Sequence, residues 1–189
     1  VGGAIGFGGQ DHFFNTHQYD TLLDKQTIAA MSAPEEVERA TAARALDDQL
    51  IFRVALDTYS DVTASSSPLL MVVETIGPHG DSGTLSRNCT ADGQSLETGD
   101  LHATVGCTIS NFVTFLDEFR ELRGSRPTLL VVLSDHLNHA WPREMNVAEG
   151  GRTNTVLMMG LDMPDVPSGT TIDRPASLID VYPTILPLL

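Results

Sequence analysis

Two continuous apolar runs, each bounded by turn residues, constrain the fold of this chain more than any other sequence feature. One covers 68–75 (PLLMVVET) and the other 127–136 (PTLLVVLSDH). Short runs of this kind predict strands that are buried on both faces of a sheet. A helix expected between them makes 68–136 a strand–helix–strand unit with a right-handed crossover and parallel strands. The sequence therefore predicts an α/β fold.

Side chains with metal-binding or acid–base chemistry follow both apolar runs. His79 comes shortly after the first run, and Asp135 and His136 end the second. Because ligands of open α/β sheets bind beyond the carboxyl ends of the strands, we expect these side chains at one sheet edge. A carboxylate beside an imidazole suits a divalent metal such as Zn or Mn. Taken alone, the doublet slightly favours a plainer interpretation, with Asp135 capping a turn and His136 on the surface.

A capping box predicts where the first long helix begins. Ser32 can act as the N-cap, and Glu35 stands three residues later at the matching position. Apolar residues then continue at helical spacing through about Thr58. Asp47 and Asp48 fall inside this span, and we expect both carboxylates to be solvated or paired.

A second long helix is predicted over 101–123. Its apolar residues repeat at intervals of three and four positions: Ile109, Phe112, Val113, Leu116 and Phe119. Arginines occupy its last turn, and Gly124 follows as a C-cap. Further along, the apolar segment 155–160 (TVLMMG) predicts a third strand.

Charge and hydropathy narrow the class of protein. The net charge is −14, from 25 acidic and 11 basic residues, which disfavours binding to nucleic acid or to anionic lipid through a basic patch. No apolar run approaches the roughly 20 residues that a bilayer-spanning helix needs. We expect residues 1–189 to form a single domain, the C-terminal part of a larger catalytic domain.

The two cysteines, Cys89 and Cys107, lie in one loop-rich stretch. They would be free thiols in the cytosol and a disulfide in an oxidising compartment. Closing a loop of that size stabilises a fold by about 3 kcal/mol in the chain-entropy model. The sequence has no CxxC motif, which disfavours a redox or zinc-ribbon role.

Several stretches resemble segments of one enzyme superfamily, in the same order. Ser134-Asp135-His136 after an apolar strand resembles the SDH motif of the alkaline phosphatase and sulfatase superfamily. Other segments carry the resemblance further: 7–20, 75–79 (T-x-x-x-H), 86–89 (S-R-x-C), 103–107 (A-V-x-C with one residue inserted), 154–156 and 179–186. Within the superfamily, the chain most resembles the phosphoglycerol transferases of osmoregulated periplasmic glucans. Lipoteichoic acid synthases are more distant relatives.

The resemblance implies a fold and a set of site residues. The fold would be an α/β/α sandwich with a mostly parallel sheet, holding one divalent metal (Mn or Mg, with Zn as a further option). Asp135 and His136 match the metal ligands, whereas His79 and Arg87 match substrate-binding positions. The nucleophilic threonine is expected upstream of Val1, so we expect this chain alone to lack it and to be inactive.

The same resemblance implies a reaction and a location. The enzyme would move phosphoglycerol from phosphatidylglycerol, a phospholipid headgroup donor, to a periplasmic glucan or similar polymer. The full-length protein would be membrane-anchored, with its catalytic domain on the periplasmic face of the inner membrane, where Cys89 and Cys107 would form a disulfide.

Two alternatives remain open on the sequence. The first is a sulfatase or phosphodiesterase of the same superfamily, which would share the ligands Asp135 and His136 and differ in its nucleophile. The second is a non-catalytic domain that kept the sulfatase-like fold, lost the chemistry and acts as a binding module.

Overall fold

The computed structural model describes residues 10–40, 46–63, 67–79, 83–91, 94–97, 100–134, 154–167, 169–173 and 176–188. The chain divides into two compact units, Val1–Leu122 and Arg123–Leu189. Among the residues that the structure describes, every helix is too short or too polar to span a bilayer.

Helices dominate the first unit, and the described strands belong to the second. The helices are α1 (Gln10–Thr16), α2 (Lys25–Met31), α3 (Pro34–Ala40), α4 (Asp48–Val62), α5 (Leu101–Arg123) and α6 (Val181–Ile185). The strands are β1 (Thr128–Leu133) and β2 (Val156–Leu161), and short 3₁₀ turns cover Arg87–Cys89, Leu178–Asp180 and Leu186–Leu188.

The core of the first unit is built around α4. A cluster of fully buried aliphatic side chains lies at its N-terminal half: Ile28, Leu46, Leu50 and Ile51. Aromatic side chains extend the core along the helix. Phe52 stacks on Phe115 of α5 with ring centroids 4.9 Å apart, and Tyr59 meets Phe119 edge to face at 4.9 Å. The aromatic contacts therefore join α4 to the C-terminal half of α5.

The predicted helix over 101–123 is confirmed as α5, and Gly124 follows it with a φ of +58°. Its buried face differs from the predicted one, because Ile109 and Val113 are 57% and 51% exposed. The face that packs inward consists of Leu101, Thr104, Cys107, Asn111, Phe115 and Phe119. Polar side chains are tolerated there because they have partners; Thr104, for example, donates to the Asp100 carbonyl.

The predicted single helix running to about Thr58 is wrong, because α3 ends at Ala40 and α4 begins at Asp48. Asp47 has extended backbone angles (φ −73°, ψ 156°) and caps α4 as its side chain accepts from the Leu50 amide. Of the two states expected for Asp47 and Asp48, solvation is wrong, since they are only 2% and 1% exposed. Both carboxylates are instead paired with hydrogen-bond donors.

In the second unit, β1 and β2 form a two-stranded antiparallel sheet, with Thr128 opposite Leu161 and Leu133 opposite Val156. The strands predicted within 127–136 and over 155–160 are thus present. Arg123 Nη1 lies 2.7 Å from Asp162 Oδ2 just after β2. The backbone hydrogen bonds between β1 and β2 follow the antiparallel pattern. Within the described residues, the predicted mostly parallel sheet is therefore not formed.

The prediction of a strand over 68–75 is also wrong, because the structure has no strand there. Some of its apolar side chains are exposed in this chain: Leu69, Leu70 and Val72. A strand needs backbone hydrogen bonds to a neighbouring strand. The amides of Ile76 and Gly77, just after this run, instead donate to the side chain of Asp48. The predicted parallel strand–helix–strand unit is therefore not formed by the described residues.

Candidate functional site

Two consecutive buried carboxylates, Asp47 and Asp48, stand at the N-terminus of α4. The first amides of a helix lack intrahelical partners, and Asp47 satisfies one of them by accepting from the Leu50 amide at 2.9 Å. The oxygens not used in capping accept hydrogen bonds from segments more distant in the sequence. Two of these segments carry the residues predicted to bind substrate, His79 and Arg87.

Asp48 anchors the turn that precedes His79. Its Oδ1 accepts from the backbone amides of Ile76 and Gly77 at 2.9 and 3.0 Å. Its Oδ2 accepts from the Thr108 hydroxyl of α5 at 2.7 Å. The turn closes when the His79 amide donates to the Ile76 carbonyl at 3.0 Å, which leaves His79 itself exposed. One buried carboxylate thus joins α4, α5 and the His79 turn.

Gly77 is required at this turn because of its close approach to the carboxylate. A Cβ atom built on Gly77 would overlap Asp48 Oδ2 and lie 2.6 Å from the Thr108 hydroxyl. Any larger residue would therefore force the turn or the side chains of Asp48 and Thr108 to shift. The carbonyl of Gly77 also accepts from the Thr84 amide at 2.7 Å, which ties the turn to the segment leading to Arg87.

Asp47 makes the matching contact to the second predicted substrate residue. Its Oδ2 accepts from the backbone amide of Arg87 at 3.0 Å, where Arg87 begins the 3₁₀ turn Arg87–Cys89. The half-buried Arg87 guanidinium donates through Nη1 to the Gln94 carbonyl at 3.0 Å. Asp47 thus holds the backbone of Arg87, while Gln94 contacts its side chain.

A chain of polar side chains connects the Arg87 turn to α5. Asn111 Nδ2 donates to the buried Ser86 hydroxyl at 2.8 Å, and Asn88 Nδ2 donates to Asn111 Oδ1 at 2.7 Å. The structure also joins Cys89 to Cys107 of α5 in a disulfide, the pairing expected in an oxidising compartment. The turn is therefore fixed to α5 by hydrogen bonds and by a covalent bond.

Burial raises the pKa of the Asp47 carboxyl above its ordinary value, because desolvation disfavours the charged form. The amides of Leu50 and Arg87 oppose this effect by donating to the carboxylate, and the adjacent charge of Asp48 adds to it. The Asp47 carboxylate therefore depends on the hydrogen bonds that fix the Arg87 turn.

A cleft of about 520 Å³ opens beside this turn, between residues of α4 and α5. Its lining includes Arg87, Asn88, Asn111, Phe115 and Glu118. The lining thus combines a guanidinium, side-chain amides, an aromatic ring and a carboxylate. His79 is not among the described residues that line this cleft, and Asp47 and Asp48 at the N-terminus of α4 link the Arg87 and His79 turns.

The predicted metal ligands Asp135 and His136 lie outside the described residues. In the stretches that the structure does describe, no group of three or more His, Cys, Asp or Glu side chains is arranged to hold a metal ion. The predicted meeting of His79 with this doublet at one sheet edge therefore stays a prediction.

Comparison with known families places the chain in one of them. Residues 2–189 match the sulfatase family. This chain belongs to the sulfatase family. The superfamily predicted from the SDH motif is thereby confirmed, and with it the α/β class of the fold.

The sulfatase-family chain also has curated relatives. It is 27% identical over 196 residues to phosphoglycerol transferase I of Xanthomonas axonopodis pv. citri (strain 306), covering 100% of this chain and 26% of the relative. It is 23% identical over 192 residues to phosphoglycerol transferase I of Escherichia coli (strain SMS-3-5 / SECEC), covering 95% of this chain and 24% of the relative. The chain thus spans about a quarter of these relatives' length. No solved structure matches it significantly.

Sequence reasoning missed Asp47 and Asp48 as the residues that organise this candidate site. A local signal was present, because an aspartate followed by an acidic first turn is typical of a helix start. That signal would have located the cap at Asp47. It would not have identified the loops that the two carboxylates bind.

Proposed function

We propose that this chain is part of a phosphoglycerol transferase that moves phosphoglycerol from phosphatidylglycerol to a periplasmic glucan or similar polymer. The observation that carries the proposal is the similarity to enzymes named phosphoglycerol transferase I, at 23–27% identity along 95–100% of this chain. The S-R-x-C segment of the resemblance coincides with the anchored turn at Arg87, which supports the assignment of a site there.

Arg87 and His79 are the proposed substrate-binding residues of this chain. A guanidinium offers planar paired donors that suit the oxygens of a phosphate group. An imidazole can give or accept a proton near neutral pH as the phosphodiester bond is exchanged. In our proposal, Arg87 binds the donor phosphate, and His79 contacts the glycerol phosphate or assists proton transfer.

The proposal includes a divalent metal, Mn or Mg with Zn as a further option, held in part by Asp135 and His136. When bound, such an ion polarises phosphoryl oxygens and stabilises the charge that develops on them. The attacking threonine is expected in the sequence upstream of Val1. The complete catalytic domain is expected to be an α/β/α sandwich with a mostly parallel sheet.

The proposed partners are a phospholipid donor and a glucan acceptor, and we expect the full-length protein to be anchored in the membrane. The proposed location is the periplasmic face of the inner membrane. The disulfide between Cys89 and Cys107 supports this location, because disulfides persist in oxidising compartments.

The test is a transfer assay with the full-length protein. Phosphatidylglycerol labelled in its glycerol headgroup is supplied in vesicles together with a glucan, and label reaching the glucan is measured with and without added Mn. We expect metal-dependent transfer that falls at least tenfold, on the order of one lost charged hydrogen bond, in Arg87→Ala and His79→Ala. The matched controls are Arg120→Ala and His102→Ala, which remove exposed side chains of α5 and should retain transfer.

Three results would contradict the proposal. Hydrolysis of an aryl sulfate without transfer would indicate a sulfatase. Release of free glycerol phosphate in the presence of glucan would indicate a phosphodiesterase. Unchanged transfer in both Arg87→Ala and His79→Ala would remove these residues from the site.

A further inference from the structure

We propose that Asp47 and Asp48 are positioning residues that hold the two substrate-binding segments of this chain, Asp47 through the Arg87 turn and Asp48 through the His79 turn. This inference rests on the proposed function for its catalytic meaning. It names two residues whose roles lie in holding other residues and not in contacting substrate.

The contacts divide cleanly between the two carboxylates. Asp47 reaches 40 positions along the chain to the Arg87 amide, and Asp48 reaches 29 positions to the Gly77 amide. Asp47 and Asp48 are adjacent and stand at the start of α4. The Arg87 turn and the His79 turn are therefore attached to the same helix N-terminus. Their spacing is then set by a helix N-terminus whose side chains are only 2% and 1% exposed.

Helix α5 makes further hydrogen bonds to this helix N-terminus and to the residue before Arg87. Thr108 donates to Asp48 at 2.7 Å, and Asn111 donates to Ser86 at 2.8 Å, directly before Arg87. Each backbone amide donates to one of the two carboxylates, so no other amide can replace a hydrogen bond that is lost. A buried carboxylate that loses its donors is costly, so the loops and the carboxylates stabilise one another.

Asp47→Asn is the sharpest probe for the Arg87 turn. Asparagine is as good an N-cap as aspartate, so the Leu50 contact survives. Its amide nitrogen, however, replaces the oxygen that accepts from Arg87, and two donors then face each other. Asp24→Asn is the matched control. Asp24 also caps a helix, α2, by accepting from the Thr27 amide, and its described hydrogen bonds involve neither the Arg87 turn nor the His79 turn.

Asp48 is probed by three variants with ordered effects. Asp48→Ala removes every acceptor for Ile76, Gly77 and Thr108. Asp48→Asn keeps one oxygen for the two amides and can donate to the Thr108 hydroxyl, so it should rescue most of the loss. Gly77→Ala keeps the carboxylate and disturbs its contact with the turn by steric overlap, which leaves the proposal testable should Asp48→Ala fail to fold.

Hydrogen–deuterium exchange of the full-length protein gives the first readout. We expect Asp47→Asn to raise exchange at least tenfold in 84–91, and Asp48→Ala or Gly77→Ala to do so in 76–79, on the scale of one lost charged hydrogen bond. Asp24→Asn should change neither segment. Unchanged exchange in both segments would overturn the inference, whether or not the protein transfers phosphoglycerol.

Transfer kinetics give the second readout. Asp47→Asn should raise KM for phosphatidylglycerol about tenfold, and this effect should shrink to less than about twofold in an Arg87→Ala background. Asp48→Ala or Gly77→Ala should lower kcat, and that effect should disappear in a His79→Ala background. Fully additive effects would overturn the positioning roles, whereas an inactive wild-type enzyme would overturn the proposed function and leave the exchange result to decide the loop contacts.

Discussion

The disulfide between Cys89 and Cys107 fastens the turn that carries Arg87 to the buried face of α5. Cys107 is only 6% exposed, and the two Cα atoms lie 6.1 Å apart. The same turn is held from the other side by the Asp47 carboxylate, 3.0 Å from the Arg87 amide nitrogen. The Arg87 turn is therefore fixed between the two long helices of the first unit.

The double variant Cys89→Ser/Cys107→Ser should destabilise this domain by about 3 kcal/mol, because the crosslink no longer limits the unfolded chain. Replacing both residues avoids an unpaired thiol. The measurement is thermal unfolding of the full-length protein with and without reductant. Reductant should lower the midpoint of the wild type and leave that of the double variant unchanged. Equal midpoints for oxidised wild type and double variant would contradict a stabilising role.

Asp135→Asn in the full-length protein should abolish transfer while leaving the fold largely intact, because an amide is a weaker ligand for a hard divalent ion than a carboxylate. Metal content after dialysis checks the first half of this prediction, and circular dichroism checks the second. Asp117→Asn on the exposed side of α5 is the control and should keep both metal and activity. Full activity of Asp135→Asn would remove Asp135 from the proposed metal site.

The contribution of Asp47 to the free energy of unfolding should fall as pH rises. The comparison that isolates this contribution is wild type against Asp47→Asn. Burial raises the pKa of Asp47 in the folded protein. Its contribution to stability is therefore fully present below the ordinary aspartate pKa of about 3.9 and is lost as pH rises through the raised folded value. The wild-type unfolding midpoint minus that of Asp47→Asn should decrease across this window.

Asp24 should show the opposite pH dependence of stability in the same experiment. The backbone amide of Thr27 lowers the pKa of the Asp24 carboxyl, and partial desolvation opposes this effect. Its contribution is present above the ordinary aspartate pKa and is lost as pH falls through the lowered value. The midpoint difference between wild type and Asp24→Asn should therefore shrink on acidification. The same sign for both pairs would contradict the buried state of Asp47.

Phe115→Ala should destabilise the domain by about 3–5 kcal/mol, because it removes the ring that stacks between Phe52 and Phe119 and leaves a cavity. Ile109→Ala is the matched control on the same helix, since Ile109 is 57% exposed and should cost no more than about 0.5 kcal/mol. Denaturant unfolding followed by circular dichroism measures both. Similar losses for the two variants would contradict the observed burial of α5.

The elements that sequence predicted well are those that depend on neighbours along the chain. The bounds of α5, the C-cap Gly124 and the strands β1 and β2 follow from periodicity and turn residues within a short window. The candidate residue His79 came from its position after an apolar run and from a family resemblance, and Arg87 came from the resemblance alone; the sulfatase family is confirmed. The metal ligands Asp135 and His136 remain predictions of that resemblance.

By itself, the sequence determined where α5, β1 and β2 form, because caps and apolar spacing act over a few residues. Only the tertiary structure decided the burial of Asp47 and Asp48, the antiparallel pairing of β1 with β2 and the face of α5 that packs inward. The reason is that a carboxylate is buried only when donors from elsewhere reach it. Here those donors, the Gly77 and Arg87 amides, lie 29 and 40 positions away, beyond the reach of any local pattern.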